Sequence, residues 1–218
     1  MPGRTEGRVL VGLVLAALVW SGIAPVSRLT WLMEVAWVVV GLPLVVWGWR
    51  RFPLTRLACW LLVLHAFVLV YGGHYTYELT PLGNWFRDAF DLSRNNYDRL
   101  GHFFQGFVPA ILVREILLRR TPLQPGRWLF FLVSSVCLAF SAFFEFIEWW
   151  SALALGSAAD AYLATQGDIW DTQWDMFCCL IGAILAQLLL SRTHDRQLPA
   201  LQRQWKQAEP SPAAPPSR

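Results

Sequence analysis

The chain has 218 residues, of which 56% are hydrophobic and only 15% charged, with thirteen Trp and a mean hydropathy of +0.40. A water-soluble domain of this length carries roughly 25% charged residues, so the composition excludes an ordinary soluble fold. The net charge of +3, with no basic stripe away from the apolar runs, excludes nucleic-acid binding. Cys59, Cys137, Cys178 and Cys179 all lie inside apolar stretches without C-x-x-C spacing, which reads as small residues at helix contacts and not as a disulfide framework.

A membrane-spanning helix needs about 20 predominantly apolar residues. Six stretches qualify in chain order: about 9–26, 31–49, 54–73, 97–118, 128–150 and 170–190. The first follows Arg4 and Arg8 and could instead be a signal peptide, but its apolar run is long and no small-x-small cleavage site follows it. The connection from His74 to Asn96 is punctuated by Pro81, Gly83 and Asn84 and is not a span. The expected fold is therefore all-α: a polytopic transmembrane helix bundle of about six spans, forming one domain over residues 1–191. A polar tail, 192–218, follows, its Pro-rich end expected to be disordered.

Basic residues orient the bundle. Thirteen Arg and Lys flank the ends that include both termini, against three (Arg28, Arg87 and Arg94) at the opposite ends. The positive-inside rule then places both termini in the cytoplasm.

Polar residues in the last three spans fall on single helical faces. On the fourth, Asp98, His102, Gln105 and Pro109 recur at four, three and four; on the fifth, Ser134, Cys137, Ser141, Glu145 and Glu148 at three, four, four and three. Asp168, Asp171, Asp175, Cys179 and Gly182 repeat the latter spacing on the sixth. With the expected topology, the acids of all three stripes lie within roughly 10 Å of the outer interface, at 1.5 Å per residue. Carboxylates gathered in a partly dry site must be protonated or neutralised by a cation or Arg. Asp98, His102, Glu145, Glu148, Asp171 and Asp175 are thus candidate ligands for a divalent cation, with His74, Glu78, Arg99, Gln105 and Asp168 in support. Each residue alone has a plainer explanation. Glu145 and Glu148 precede Trp149-Trp150 and could snorkel, Asp98 and Asp168 could cap helices, and His102 could pack between helices. It is the coincidence across three helices that favours a site. Glu115 beside Arg114 reads instead as a local ion pair on the basic flank, and Ser134, Ser135 and Ser141 lack the His partner of a serine hydrolase.

The run from Tyr97 to Pro109, the element Glu145-Phe-Ile-Glu148-Trp, the run from Gln166 to Met176, and Gly72-Gly-His74-Tyr-Thr-Tyr77 together resemble the YjdF family of bacterial inner-membrane proteins, a domain of unknown function. The resemblance implies an inner-membrane location and several spans, and no established reaction. A weaker resemblance reaches the VanZ-like proteins. Asp98 and His102 match their first element, with Arg99 at the basic position, and Asp175 and Gly182 match the ends of their last, but Cys179 stands where an Asn is expected. Three functions compete. The first is an outward-facing site for a divalent cation or envelope-lipid head group, with metal-assisted hydrolysis as its chemistry. The second is a small transporter or proton-coupled carrier, and the third is a structural or accessory membrane protein. The lipid bilayer is the one partner that all three require.

Overall fold

The computed structural model describes residues 1–208 and, except at residue 158 and residues 204–208, their side chains. Its helices are α1 (Arg4–Ser21), α2 (Arg28–Gly48), α3 (Arg56–Tyr75), α4 (Pro81–Ala89), α5 (Tyr97–Arg120), α6 (Arg127–Leu155), α7 (Asp160–Leu163) and α8 (Asp171–Ala208). No strand occurs among the described residues. The long helices start at side-chain caps where the sequence supplies them. Ser27 Oγ accepts from the Thr30 N–H (3.2 Å) ahead of α2, and Thr55 Oγ1 from the Ala58 N–H (3.3 Å) ahead of α3. α6 ends at Gly156, whose φ of +55° stops the helix without a Cβ clash.

Five helices, α2, α3, α5, α6 and α8, are long and apolar enough to cross a membrane. The sixth expected span corresponds to α1, whose 18 residues include Arg4, Glu6 and Arg8 and so fall short of that criterion. α1 nevertheless runs beside α3, in the same direction, over α3's whole length. Glu6 accepts from Arg56 Nε (2.6 Å) and Trp60 Nε1 (2.9 Å) at one end. At the other end the Ser21 carbonyl accepts from His74 Nδ1–H (2.9 Å). α2 returns antiparallel to α3, and its Trp37 reaches the rings of Phe140 and Phe144 on α6.

The centre is the pair α5 and α8, which run parallel. Their backbones touch: a Cβ on Gly106 would meet the Cys179 carbonyl, and one on Gly182 would meet the Phe103 carbonyl. Small residues allow this close approach, which is how helices associate where lipid offers no hydrophobic driving force. On α6 the buried face is the stripe Ser134, Cys137, Ser141, Glu145 and Glu148, while Trp128, Phe131, Phe143, Phe146 and Trp149 face outward. Polar and small residues are turned in, and large apolar ones toward lipid.

The two ends of the bundle are sealed differently. At the basic end, the fully buried Glu115 accepts from the Thr55 N–H (3.1 Å) and hydroxyl (2.7 Å), from Arg119 (2.7 Å) and from His194 Nε2–H (3.1 Å). Arg114 donates to His194 Nδ1 (2.8 Å) and, bidentately, to Asp195 (2.6 and 3.0 Å). Glu115 therefore pairs with Arg119 of the basic flank, as expected, and also with His194, while its neighbour Arg114 turns to His194 and Asp195 because adjacent helical residues face different directions. α8 continues unbroken beyond residue 190, so residues 192–208 extend that helix, and Gln197 Oε1 accepts from the Leu57 N–H (3.0 Å). The Pro-rich stretch 209–218 lies outside the described residues. At the opposite, acidic end, Asn95 holds the loops together. Its Nδ2 donates to the Thr80 carbonyl (3.1 Å) and Asn84 Oδ1 (3.0 Å), and Gln166 brackets its backbone (3.0 and 2.8 Å).

Candidate functional site

Asp98 and His102 lie one turn apart near the start of α5, and the parallel contact with α8 sets Asp175 beside them. Asp98, His102 and Asp175 each offer one ligand atom, all within 4.8 Å of one another. His102 Nε2 faces Asp98 Oδ1 at 3.7 Å, and Nδ1 lies 2.9 Å from Gln105 Oε1 and 3.9 Å from Glu145 Oε1. An amide oxygen only accepts, so Gln105 fixes the Nδ1–H tautomer and leaves the Nε2 lone pair directed at the acids. Imidazoles that bind metals are commonly held in the same way, by an acceptor on the other ring nitrogen. Ligands on opposite sides of one ion stand about twice the bond length apart, roughly 4.2 Å for bonds near 2.1 Å and roughly 4.8 Å for bonds near 2.4 Å. Separations within 4.8 Å lie inside that limit for the longer bonds, so the three atoms are close enough to share one ion.

The other predicted residues separate into two sets. Glu145 and Glu148 join the cluster from α6, and both are buried. Asp171 is also buried but already neutralised, since Arg94 donates to it at 2.5 Å. Asp168 accepts from the Trp170 N–H (2.9 Å) and Arg99 (2.5 Å); these two contacts, the backbone one foremost, hold its carboxyl below the usual range. Asp168 and Asp171 thus occupy the two guanidinium groups near the site. His74 and Glu78 are not part of it. His74 stacks on Trp20 and ties α3 to α1, which places it on the α1 side of the bundle. Glu78 sits in the turn after α3, where burial and the charge of Asp160 hold its carboxyl above the usual range.

The sequence reading missed Glu34. It is the seventh residue of α2, near the start of an otherwise apolar run, is 5% exposed, and lies near Tyr77 and the like-charged Asp98. An acid alone in an apolar span is itself the signal that could have found it. With Glu34, five carboxyl groups at this end (Glu34, Asp98, Glu145, Glu148 and Asp175) are 1–8% exposed and have no Arg or Lys partner among the described residues. Glu145 Oε1 and Asp175 Oδ1 are buried without any hydrogen-bond partner. The contrast with Glu115, both of whose oxygens are satisfied, is the electrostatic signature of the site. At one end of the bundle the buried acid has its basic partners, and at the other five buried acids have none among the described residues.

A cavity of about 1150 Å³ reaches this cluster from between α1, α2, α3, α5 and α6. α5 runs unbroken through Pro109 along its wall.

The family model described as "Predicted membrane protein (DUF2238)" matches residues 7–196. The chain belongs to the DUF2238 family of membrane proteins. It is 51% identical over 181 residues to "Inner membrane protein YjdF" of Escherichia coli (strain K12), covering 83% of this chain and 87% of that one. No solved structure matches the chain. The DUF2238 match extends from α1 to α8 and includes every residue of the acidic cluster. It agrees with the resemblance drawn from the motifs at Tyr97–Pro109, Glu145–Glu148 and Gln166–Met176.

Proposed function

We propose that this protein is a bacterial inner-membrane protein with six crossings and both termini cytoplasmic, whose outward-facing acidic end binds a divalent cation. The location rests on the relative from Escherichia coli, which is named as an inner membrane protein. The orientation rests on the thirteen-to-three distribution of basic residues. The sixth crossing rests on α1, whose 18 residues rise about 27 Å beside α3.

One observation carries the cation reading: five buried carboxyl groups without a basic partner, with Glu145 Oε1 and Asp175 Oδ1 lacking any hydrogen bond. Isolated charges there cost several kcal/mol each, and a divalent ion relieves this for several of them at once. Asp98, His102 Nε2 and Asp175 are the ligands, Glu145 and Glu148 supply further oxygens, and Gln105 orients the imidazole. A cation so held polarises a phosphoryl oxygen or a water molecule, the chemistry that hydrolysis of an envelope-lipid head group requires.

Metal analysis of the purified protein tests this reading. A stoichiometric divalent metal is expected, with affinity lowered by Asp175→Asn or His102→Gln by more than the roughly 10- to 100-fold that losing a group which only orients a ligand costs. Both variants preserve side-chain bulk and leave the apolar spans unchanged, so they should still insert. Wild-type protein that takes up no metal on titration with Mn²⁺, Zn²⁺, Mg²⁺ or Ca²⁺ would leave a proton-sharing network as the better account. That outcome would favour the proton-coupled carrier, since the cavity joins the acidic end to Arg4, Arg8 and Arg50 at the other.

A further inference from the structure

The cavity has a polarity of its own. Most of its length is lined by apolar side chains, among them Trp37, Val38, Leu62, Val63 and Phe144. At one end it meets Glu34, Asp98 and Glu148. Glu148 is 8% exposed, lines the cavity, and makes no hydrogen bond or ion pair with any described residue. Arg94 and Arg99 do not line the cavity and are taken up by Asp171 and Asp168. The opposite end is lined by Arg4, Arg8 and Arg50.

These features constrain an occupant. A hydrated metal ion suits the three carboxyl groups but leaves the apolar length unfilled. A neutral hydrocarbon fills the length but leaves buried acids without a counter-charge, which is costly. A primary ammonium carries three N–H donors, one for each of Glu34, Asp98 and Glu148, and a hydrocarbon body attached to it covers the apolar wall. The arginines at the other end repel the same head and so fix its direction.

We infer that the cavity binds an ammonium-headed membrane amphiphile, its head among Glu34, Asp98 and Glu148 and its hydrocarbon body between α2, α3 and α6. This site overlaps the proposed cation site: both draw on Asp98 and Glu148, and His102 also lines the cavity, while Glu145 and Asp175 do not. Glu34 is the one of these three acids that is not among the proposed cation ligands.

The test uses dodecylamine as the probe, with dodecanol and dodecanoate as controls, added to the purified full-length protein in maltoside micelles. Saturable stabilisation against heat is expected with the amine and not with the other two. Glu34→Gln should weaken amine binding about tenfold or more, the effect of removing a charged hydrogen-bond partner, while metal content stays at the wild-type level. Gly41→Leu provides a second arm. Gly41 lines the cavity, and a Cβ there meets nothing within 4 Å, so the larger side chain should enter the cavity without disturbing packing and should also reduce binding. Equal responses to amine, alcohol and carboxylate would reduce the cavity to a generic apolar cleft. Amine binding at wild-type strength in both variants would overturn the assignment. Loss of metal binding with amine binding intact would sink only the cation reading.

Discussion

Single positions decide whether the acidic end exists at all. Gly106 and Gly182 let the backbones of α5 and α8 touch, and that contact brings Asp175 beside His102. Gly106→Ala should cost about 1–3 kcal/mol, the usual range for overpacking, because the obstacle is backbone and not the flexible tip of a side chain. Gly12→Ala is the control, since nothing lies within 4 Å of a Cβ there. Thermal unfolding in detergent should separate the two, with only Gly106→Ala lowering the midpoint. Gly182 stood on a stripe legible in the sequence, because spacing reveals a helical face. Gly106 falls one turn after His102 on the same face of α5, but its pairing with α8 was not legible, because spacing reveals nothing about which face meets which. Glu34 was passed over for a different reason: its span lacks a polar periodicity, so the acid had no stripe to announce it.

At the scale of elements, the basic end works as a clamp on three helices. Glu115 of α5 joins the cap of α3 through Thr55 and joins α8 through His194. His194 contacts Arg114 through one ring nitrogen and Glu115 through the other, so a single side chain bridges the two. Glu115→Ala would leave Arg119 and His194 buried without their anion, and a loss of about 3–5 kcal/mol is expected for breaking such a network from one side. Glu115→Gln keeps part of the hydrogen bonding and should cost less. Denaturant titration of the two variants checks the order. This clamp was illegible because it depends on α8 continuing past residue 190. Hydropathy falls at Ser191, where a reading by apolar length stops, yet helix continuity there is set by tertiary contacts of His194, Asp195 and Gln197 and not by lipid.

For the whole molecule, the outline of the bundle was legible because long apolar runs have one solution in lipid, a helix with its backbone bonds closed. The count was less so: α1 carries three charged residues in its first turns, and only its position beside α3 gives it the same depth. Six crossings predict that reporter fusions after residues 50, 120 and 192 report the cytoplasm and those near 88 and 160 the outside. If α1 does not cross, the N-terminus moves to the outer side while these five sites keep their assignments, so a fusion at the N-terminus completes the test. The parallel pairing of α5 with α8 also has a consequence for synthesis. Asp175 follows His102 by roughly 70 residues, so at roughly 5–20 residues per second the ribosome needs some 4–14 seconds to supply it. Throughout that interval the half-made chain must keep Asp98 and His102 in or near the bilayer without their partner helix, either at the polar interface or in the care of the insertion machinery. The last span to emerge is therefore the one that completes the acidic cluster, and nascent chains released before α8 should be preferred substrates for membrane proteases.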